Sequence, residues 1–151
     1  VRVVIKPWHD PSNAHRVWGK KNSDGLVFMP LGCPVQTGRH ESMFKYKPPA
    51  SHTLDFVYAG EHFAYGEGAG GTKPVGDVGV EVGNAAGVEL GEGRVYECTP
   101  CGKRKDGRYL FEVAGERPDK TDPNHERTVT LTLETIDEGL HPQELFKHLA
   151  R

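Results

Sequence analysis

The hexapeptide Phe44-Lys45-Tyr46-Lys47-Pro48-Pro49 decides how the rest of the chain is interpreted. In a β-strand the side chains alternate, so Lys45 and Lys47 leave one face while Phe44 and Tyr46 leave the other. The aromatic pair is predicted to seat the strand in a core, and the prolines are predicted to end it because proline supplies no N–H to a ladder. Two adjacent ammonium groups suit an anion with several oxygens. The alternative is a solvated edge strand whose lysines oppose aggregation, and the hexapeptide alone leaves both open.

Length and composition limit the class of protein. With 151 residues the chain has room for one ordinary domain, or for one small domain and part of another, and 36% hydrophobic residues allow a packed core. A net charge of −2 argues against a general polyanion binder. The sequence has no apolar run of membrane-spanning length and no signal-peptide pattern, so we expect neither insertion nor secretion. Because Val1 opens the chain inside a predicted strand, we expect a piece of a longer polypeptide.

Cysteine and histidine form no complete metal or redox motif. Three cysteines are too few for a disulfide framework, so a reducing compartment is expected. Cys98-Thr99-Pro100-Cys101 supplies only two of the four ligands of a structural zinc, and Cys33 is separate. The eight histidines lack ligand spacing. The pattern therefore indicates a strand-end turn with two incidental thiols, and no metal role for histidine.

The first third of the chain consists of short elements. Residues 3–8 are predicted to form a strand, and Asp10-Pro11 is typical of an N-cap followed by the first helical residue of a short helix that Gly19 ends. A second strand follows at 24–28, and its first residue is the carboxylate Asp24, although Asp-Gly by itself is an ordinary turn signal. The strand at 53–58 is predicted to bury Leu54, Phe56 and Tyr58 and to direct Asp55 to the opposite face.

The remaining chain alternates glycine turns with short strands. Residues 66–71 formally match GxGxxG, but Thr72-Lys73-Pro74 cannot open a dinucleotide-binding helix, so a mobile loop is predicted. Strands are predicted at 77–82, 93–98 and 108–113, which suggests a small barrel or sandwich. Residues 128–133 have strand propensity but also fit a helical stripe, and the residues alone leave the choice open. A last amphipathic helix is predicted to begin at His141-Pro142.

Four stretches occur in an order and spacing that resemble the mRNA guanylyltransferases, the GTP-dependent capping enzymes of the covalent nucleotidyltransferase superfamily. They are Lys6, Asp24-Gly25-Leu26-Val27-Phe28, Met43-Phe44-Lys45-Tyr46-Lys47-Pro48 continuing to Thr53-Leu54-Asp55-Phe56, and residues 117–124. The last three are similar to the fourth, fifth and sixth motifs of that family. The Arg-x-Asp-Lys-x-x-Pro-Asn form of 117–124 distinguishes capping enzymes from most ligases. Residues 93–98 also resemble a strand before the sixth motif, and the similarity is weakest over 60–91.

The resemblance implies an α+β architecture. Residues 1–49 would be the C-terminal segment of an ATP-grasp-like nucleotidyltransferase domain, and residues 50–138 an OB-fold β-barrel. Residues 139–151 would be a C-terminal helix that packs back on the nucleotidyltransferase domain. Because the family is helical after the sixth motif, the resemblance also implies a helix over 126–136.

The resemblance implies a reaction as well. The family transfers GMP from GTP to an enzyme lysine and then to the 5′ diphosphate end of RNA, with Mg²⁺ or Mn²⁺ as cofactor. The resemblance implies that Lys45 and Lys47 bind the α-phosphate and that Asp24 acts near the metal and the attacking lysine. It implies that Lys6 contacts the guanine edge and that Val27 packs against the base.

The sixth motif has implied roles as well. Arg117 and Lys120 would bind the β- and γ-phosphates, and Asp119 would order these phosphates. Asp55 would have a metal or supporting role.

One departure from the family pattern is serious. The family's nucleophile lies in a Lys-x-Asp-Gly motif, and this sequence has none. We therefore expect a fragment that is inactive alone and that needs the N-terminal part of its own catalytic domain. Other implied partners are RNA polymerase and further capping subunits. The implied location is the nucleus for a cellular protein, and the cytoplasm or the virion for a viral one.

Two other functions stay open from the sequence. The C-terminal half of an ATP-dependent DNA or RNA ligase would share the two lysines and the barrel. A non-catalytic OB-fold module that binds nucleic acid or protein would need aromatic stacking platforms on a basic face. The aromatic residues of the second half are more easily interpreted as core, and they are Phe63, Tyr65, Tyr96, Tyr109 and Phe111.

Overall fold

The computed structural model describes residues 7–19, 24–34, 37–38 and 40–150. The α-helices are α1 (Ala14–Val17), α2 (Glu126–Glu138) and α3 (Pro142–Leu149). The strands are β1 (Leu26–Phe28), β2 (Phe44–Tyr46), β3 (Leu54–Tyr58), β4 (Phe63–Gly66), β5 (Thr72–Pro74), β6 (Val80–Gly83), β7 (Val95–Lys103) and β8 (Tyr109–Glu116). Short 3₁₀ turns lie at Pro11–Asn13, Pro49–Ser51, Gly68–Gly70 and Val75–Val78. The predicted α+β class is confirmed.

The chain divides into two compact units. The first contains the described residues up to Pro48 together with those from Leu140 onward, and the second is Pro49–Gly139. Among the described residues no helix is long and apolar enough to cross a membrane.

The first unit combines β1, β2, α1 and α3. The Asp10 side chain accepts a hydrogen bond from the Ser12 N–H at 2.9 Å and so caps the turn that leads into α1, as predicted. The strands β1 and β2 pair antiparallel. The Trp18 ring contacts Tyr46 and Phe146 with centroid distances of 5.5 Å and 5.9 Å. The Tyr46 hydroxyl donates to the Leu140 carbonyl at 2.8 Å, which ties β2 to the start of the C-terminal segment.

The two aromatic residues of β2 differ in their exposure. Tyr46 is half-buried as expected, but Phe44 is 66% exposed, so the prediction that both aromatic residues seat the strand in a core is wrong for Phe44. A two-stranded sheet has few neighbours to cover both faces, which explains the exposure. Lys6 and most of the strand predicted at 3–8 lie outside the described residues.

The second unit is built on a six-stranded sheet with the order β5-β4-β3-β7-β8-β6. Neighbouring strands are antiparallel except β6 and β8, which are parallel. The strands predicted at 93–98 and 108–113 are confirmed as β7 and β8. The strand-end turn predicted at Cys98 is wrong, because β7 continues to Lys103 with a register shift between Pro100 and Gly102.

The two outermost strands, β5 and β6, are nearly consecutive in the chain, since only residues 75–79 join them. A flat sheet of six strands is about 24 Å across. A connection of this length spans at most about 20 Å when extended and about 10 Å as a 3₁₀ turn. The sheet must therefore curl until its edges approach each other. Its described edge strands are not paired with each other, so the predicted barrel is not closed.

The core of the second unit lies between the curled sheet and α2. It is made of buried apolar side chains from most strands, chiefly Leu54, Phe56, Phe63, Tyr65, Tyr96, Phe111, Val129 and Leu133. The aromatic residues predicted as core are thus buried, with Tyr109 at the margin. The helix predicted over 126–136 is confirmed as α2. Its strand propensity is overridden because Val129 and Leu133 place one helix face in the core.

Two predictions in the glycine-rich stretch differ from the structure in their bounds. The loop predicted at 66–71 is the hairpin turn that follows Gly66, because β4 and β5 pair antiparallel with Tyr65 opposite Lys73. The strand predicted at 77–82 begins only at Val80. The preceding 3₁₀ turn ends at Gly79, whose φ of 71° is accessible to glycine without steric cost.

Candidate functional site

The first candidate site is a cluster of one carboxylate and two lysines, Asp24, Lys45 and Lys47, which we name the Asp24 cluster. The Lys45 Nζ donates to Asp24 Oδ2 at 2.7 Å, and the Lys47 Nζ lies 2.9 Å from Asp24 Oδ1. Each carboxylate oxygen therefore holds one ammonium group. The predicted grouping of two ammonium groups on one side of the strand is present in this geometry.

Backbone geometry brings these three side chains together. Val27 pairs with Lys45 across β1 and β2, which places Asp24, just before β1, beside the end of β2. Gly25 lies between them with a φ of 139°, and a Cβ at this position would overlap the Tyr46 carbonyl oxygen. Only glycine allows so close an approach. The Asp-Gly pair is thus more than a turn signal here.

The Asp24 cluster is exposed and carries excess positive charge. The side chains of Asp24, Lys45 and Lys47 are 60%, 49% and 24% exposed. Hydrogen bonds from Lys45 and then Lys47 lower the pKa of Asp24 to about 2, so the carboxylate is ionised at neutral pH. One carboxylate balances one of the two ammonium groups. Because each ammonium group has three N–H donors, donors remain for an anion with several oxygens.

The second candidate site is a buried carboxylate with two cations, which we name the Asp55 cluster and which consists of Asp55, Arg117, Asp119 and Lys120. Asp55 is only 5% exposed. The Arg117 Nη1 donates to Asp55 Oδ1 at 3.2 Å, and the Lys120 Nζ donates to Asp55 Oδ2. Arg117 also donates two parallel hydrogen bonds to Asp119, from Nε to Oδ1 at 2.9 Å and from Nη2 to Oδ2 at 2.8 Å. This fork raises the pKa of Arg117 and lowers that of Asp119 to about 2.

The sheet register explains why Asp55 needs cations. Asp55 lies directly opposite Glu97 in the β3–β7 ladder, and like charges in that position repel. The Arg117 Nη1 is 3.2 Å from Asp55 Oδ1 and 3.7 Å from Glu97 Oε1, so one guanidinium offsets both carboxylates. The Glu97 Oε1 also accepts a hydrogen bond from the Thr53 hydroxyl at 3.0 Å. Sequence reasoning missed Glu97 because cross-strand register was not known.

Asn124 fixes the far end of the segment that carries the cations. Its side-chain Oδ1 accepts from the Asp55 N–H at 2.8 Å, and its own N–H donates to the Asp55 carbonyl at 2.7 Å. Its carbonyl accepts from the Gly66 N–H at 2.9 Å, which adds a contact to β4. Residues 117–124 therefore lie over the face of β3 to which Asp55 was predicted to point, and this covering segment is what buries Asp55.

The structure groups the sequence-derived residues within each unit. Asp24, Lys45 and Lys47 meet in the first unit, where Val27 is 46% exposed on β1. The second unit brings together the members of the Asp55 cluster. Lys6 lies outside the described residues.

Neither cluster by itself resembles a metal site. Both oxygens of Asp24 are engaged by lysines, and both oxygens of Asp55 are engaged by Arg117 and Lys120. Among the described residues, no group of three or more histidine, cysteine, aspartate or glutamate side chains is placed to hold a metal ion. The described residues therefore do not fit a metal centre that the chain alone would form.

Comparison with known proteins agrees with the resemblance found in the motifs. No protein-family model matches the chain. Over 152 residues the chain is 26% identical to a protein named mRNA-capping enzyme subunit alpha from Schizosaccharomyces pombe. This similarity covers 86% of the chain but only 36% of the relative's length. The predicted relationship to mRNA capping enzymes is thereby confirmed.

Proposed function

We propose that this relative of mRNA capping enzymes is the part of a guanylyltransferase that binds the triphosphate of GTP. The observation that carries the proposal is the Asp24 cluster, in which the ammonium groups of Lys45 and Lys47 both contact the exposed carboxylate of Asp24. A pair of this kind suits the oxygens of an α-phosphate. Phosphoryl transfer depends on such charge neutralisation and positioning more than on covalent help from the protein.

The described side chains suggest how the nucleotide would be held. Lys45 and Lys47 would bind the α-phosphate, and Asp24 would keep their ammonium groups together beside the attacking lysine. Val27 is exposed opposite Lys45 and would pack against the base. Lys6 would donate to guanine O6, an acceptor that adenine lacks at that position.

The Asp55 cluster would bind the β- and γ-phosphates. Arg117 and Lys120 would supply the cations, and Asp119 would fix the orientation of the Arg117 guanidinium through the fork described above. Asp55 would then support the two cations. Since both cations are engaged with carboxylates in this structure, phosphate binding would require at least part of these ion pairs to be exchanged.

The covalent step needs groups beyond this sequence. Transfer of GMP breaks the bond between the α-phosphorus and the bridging oxygen of pyrophosphate and forms a bond to a lysine nitrogen, before GMP moves to the 5′ diphosphate end of RNA. No Lys-x-Asp-Gly motif is present. Mg²⁺ or Mn²⁺ would bind mainly through the GTP phosphates, as Mg²⁺ commonly does with only one or two protein carboxylates.

We further propose that the second unit is an OB-fold-type barrel. The support is the strand order and the short connection between the outer strands β5 and β6, which forces the sheet to curl. An OB-fold barrel is a five-stranded, partly open architecture, and β5 and β6 together would form one interrupted strand of it.

The proposed partners follow from the reaction. They are GTP, the 5′ end of nascent RNA, and RNA polymerase or further capping subunits. The relative's name, which describes it as a subunit, supports the last of these. A cellular protein with this function would act in the nucleus.

Nucleotide binding tests the proposal on the chain itself. We would titrate the labelled protein with GTP and with ATP in the presence of Mg²⁺ and follow backbone amide shifts by NMR. GTP is expected to shift residues of β2 and to bind more tightly than ATP. The Lys45→Ala variant should lose about 10- to 150-fold in affinity, because a hydrogen bond to a charged group contributes about 1.5–3 kcal/mol. Lys147→Ala, on the exposed side of α3, is the matched control.

The results discriminate between the candidate functions. Tighter binding of ATP would favour the ligase alternative, and equal GTP binding by Lys45→Ala would remove the Asp24 cluster from the site. Incubation with labelled GTP and Mg²⁺ or Mn²⁺ should leave the chain without a covalent label. A strong covalent label would contradict the expectation that the nucleophile is missing.

A further inference from the structure

A second reactive cluster lies in the first unit, in the connection between β1 and β2. The Cys33 sulfur is 3.0 Å from His40 Nε2, and the other ring nitrogen of His40, Nδ1, is 3.1 Å from the Ser42 hydroxyl. The Cys33 sulfur and the Ser42 oxygen are 3.5 Å apart. All three side chains are half-buried. A thiol, a base and a group that orients the base are therefore in mutual contact.

Two backbone turns hold the members of this cluster in place. The Cys33 N–H donates to the Pro30 carbonyl at 3.3 Å, and Gly32 between them has a φ of 75°, as the third position of a type II turn requires. The Met43 N–H donates to the His40 carbonyl at 3.3 Å, which closes a second turn around Ser42. Cys33 and His40 are thus each fixed by a local turn.

The hydrogen-bond inventory of the three groups allows a closed network. When the Cys33 thiol donates to His40 Nε2, Nδ1–H donates to the Ser42 oxygen, and the Ser42 hydroxyl hydrogen can point at the sulfur. Transfer of the thiol proton to Nε2 leaves every one of these contacts in place. The resulting thiolate accepts from both the imidazolium and the Ser42 hydroxyl. This is the arrangement of an activated nucleophile with an oriented base.

We propose that Cys33 is a reactive thiol and a site of mixed-disulfide formation with low-molecular-weight disulfides, with His40 as its base and Ser42 as the residue that positions His40. In this reaction His40 takes the thiol proton, and the Cys33 sulfur attacks one sulfur of the disulfide. The old S–S bond breaks and a new S–S bond forms on Cys33. The leaving thiolate takes the proton from His40, so Cys33 is oxidised and the other half of the disulfide is reduced. The inference does not depend on the proposed capping function.

The other two cysteines provide controls in the same molecule. Cys98 is fully buried, and burial raises its pKa to about 12, so it should be unreactive in the folded protein. Cys101 is exposed, but partial burial of its sulfur and then Glu112 raise its pKa. Access alone would favour Cys101, whereas base assistance favours Cys33.

The test uses the reduced chain at neutral pH with a chelator present, and the probe is an aromatic disulfide that releases a coloured thiolate. Cys33 is expected to react about tenfold faster than Cys101, which is less than the usual gain from a general base because nothing positions the probe. The His40→Gln variant should remove this advantage, while Ser42→Ala should reduce it. Cys101→Ser should leave the fast phase unchanged. Incubation with glutathione disulfide, followed by peptide mass mapping, should place the adduct on Cys33.

The outcomes separate reactivity from simple exposure. If Cys33 reacts no faster than Cys101, or if His40→Gln leaves the Cys33 rate unchanged, the proposal is wrong. Unfolding would also separate Cys33 from its base, so the loss of the fast phase in His40→Gln is assigned to the base only when the amide NMR shifts of β1 and β2 are retained in the variant, and Ser42→Ala tests the same contact independently. Cys98 in the same sample reports on folding of the second unit, since it should become reactive only in denaturant.

Discussion

At the scale of single residues, the pKa values of Asp24 and Asp119 are set by the cations that contact them. Asp24 is an exposed carboxylate between two lysines, and Asp119 is an exposed carboxylate held by one guanidinium fork. In both cases the neighbouring cation lowers the carboxyl pKa to about 2. Asp55 differs because it is buried, so its cations also compensate for lost hydration.

The low pKa of Asp24 leads to a prediction about its titration. In an NMR pH titration of the side-chain carboxyl carbons, Asp24 and Asp119 should both titrate near pH 2. Lys45→Ala should raise the pKa of Asp24 because its first hydrogen-bond donor is lost, and it should leave Asp119 unchanged. Since a depressed pKa favours the folded state, the stabilisation is complete above the ordinary carboxyl pKa of about 4 and is lost as the pH falls through about 2. An unchanged Asp24 titration in Lys45→Ala would contradict the ion pair.

The burial of Asp55 leads to a prediction about stability. Asp55→Asn keeps the shape of the side chain but leaves Arg117 and Lys120 without their shared carboxylate. The free energy of unfolding in urea should fall by about 1–3 kcal/mol. This is less than for a fully buried pair, because the side chains of Arg117 and Lys120 are 27% and 35% exposed. Asp119→Asn, at an exposed carboxylate of the same cluster, should cost less, and an equal loss in both variants would refute the special role of burial.

At the scale of elements, α2 shows how packing decides between two local preferences. Its sequence contains several threonines, which favour strand, but its apolar residues fit a helical stripe. His125 Nδ1 accepts from the Arg127 N–H at 3.3 Å at the start, and Gly139 ends the helix with a φ of 59°. The caps define the ends, while Val129 and Leu133 attach the helix to the core.

Two substitutions in α2 should have opposite effects on stability. Leu133→Ala removes a side chain that is only 6% exposed and should cost about 2–5 kcal/mol through lost burial and a cavity. Thr130→Ala lies on the exposed side and should add about 0.5 kcal/mol, because alanine is the better helix former. Thermal unfolding followed by circular dichroism measures both. A destabilising Thr130→Ala would show that the threonine has a role beyond propensity.

At the scale of the whole molecule, the core is unevenly divided between the two units. Of the buried apolar residues in the described part of the chain, Ala14 is the one that belongs to the first unit, and the others lie in Pro49–Gly139. The first unit has a two-stranded sheet, which is marginally stable by itself. The stability of the chain is therefore expected to reside in the second unit.

A fragment of residues 49–139 tests this distribution. It should unfold cooperatively with a Tm within about 5 °C of the 151-residue chain, which corresponds to about 1 kcal/mol for a domain of this size. Its Asp55 cluster should persist, because all members lie inside the fragment. Hydrogen exchange on the 151-residue chain provides the comparison, with slow amides expected in β3, β7 and β8. A fragment without a cooperative transition would show that the first unit contributes essential contacts.

Sequence alone was sufficient where the signal is local. The alternation around Lys45, the N-cap at Asp10 and the proline at the start of α3 predicted elements that the structure contains, because strand period and capping depend on neighbouring residues. The motif order also led to the capping-enzyme relationship. Local reasoning was less informative at the glycine-rich hairpin of β4 and β5, because the pairing of Tyr65 with Lys73 depends on a neighbouring strand.

Only the tertiary structure decided what Asp55 contacts. The resemblance implied a metal or supporting role for it, which stays a prediction, while cross-strand register places it opposite Glu97 and the segment 117–124 covers it with two cations. The contact of Cys33 with His40 and Ser42 likewise depends on how the β1–β2 connection folds. The physical reason is that charge, hydrogen bonding and reactivity act over a few ångströms, and those distances are set by how the chain folds, between distant segments for Asp55 and within one connection for Cys33.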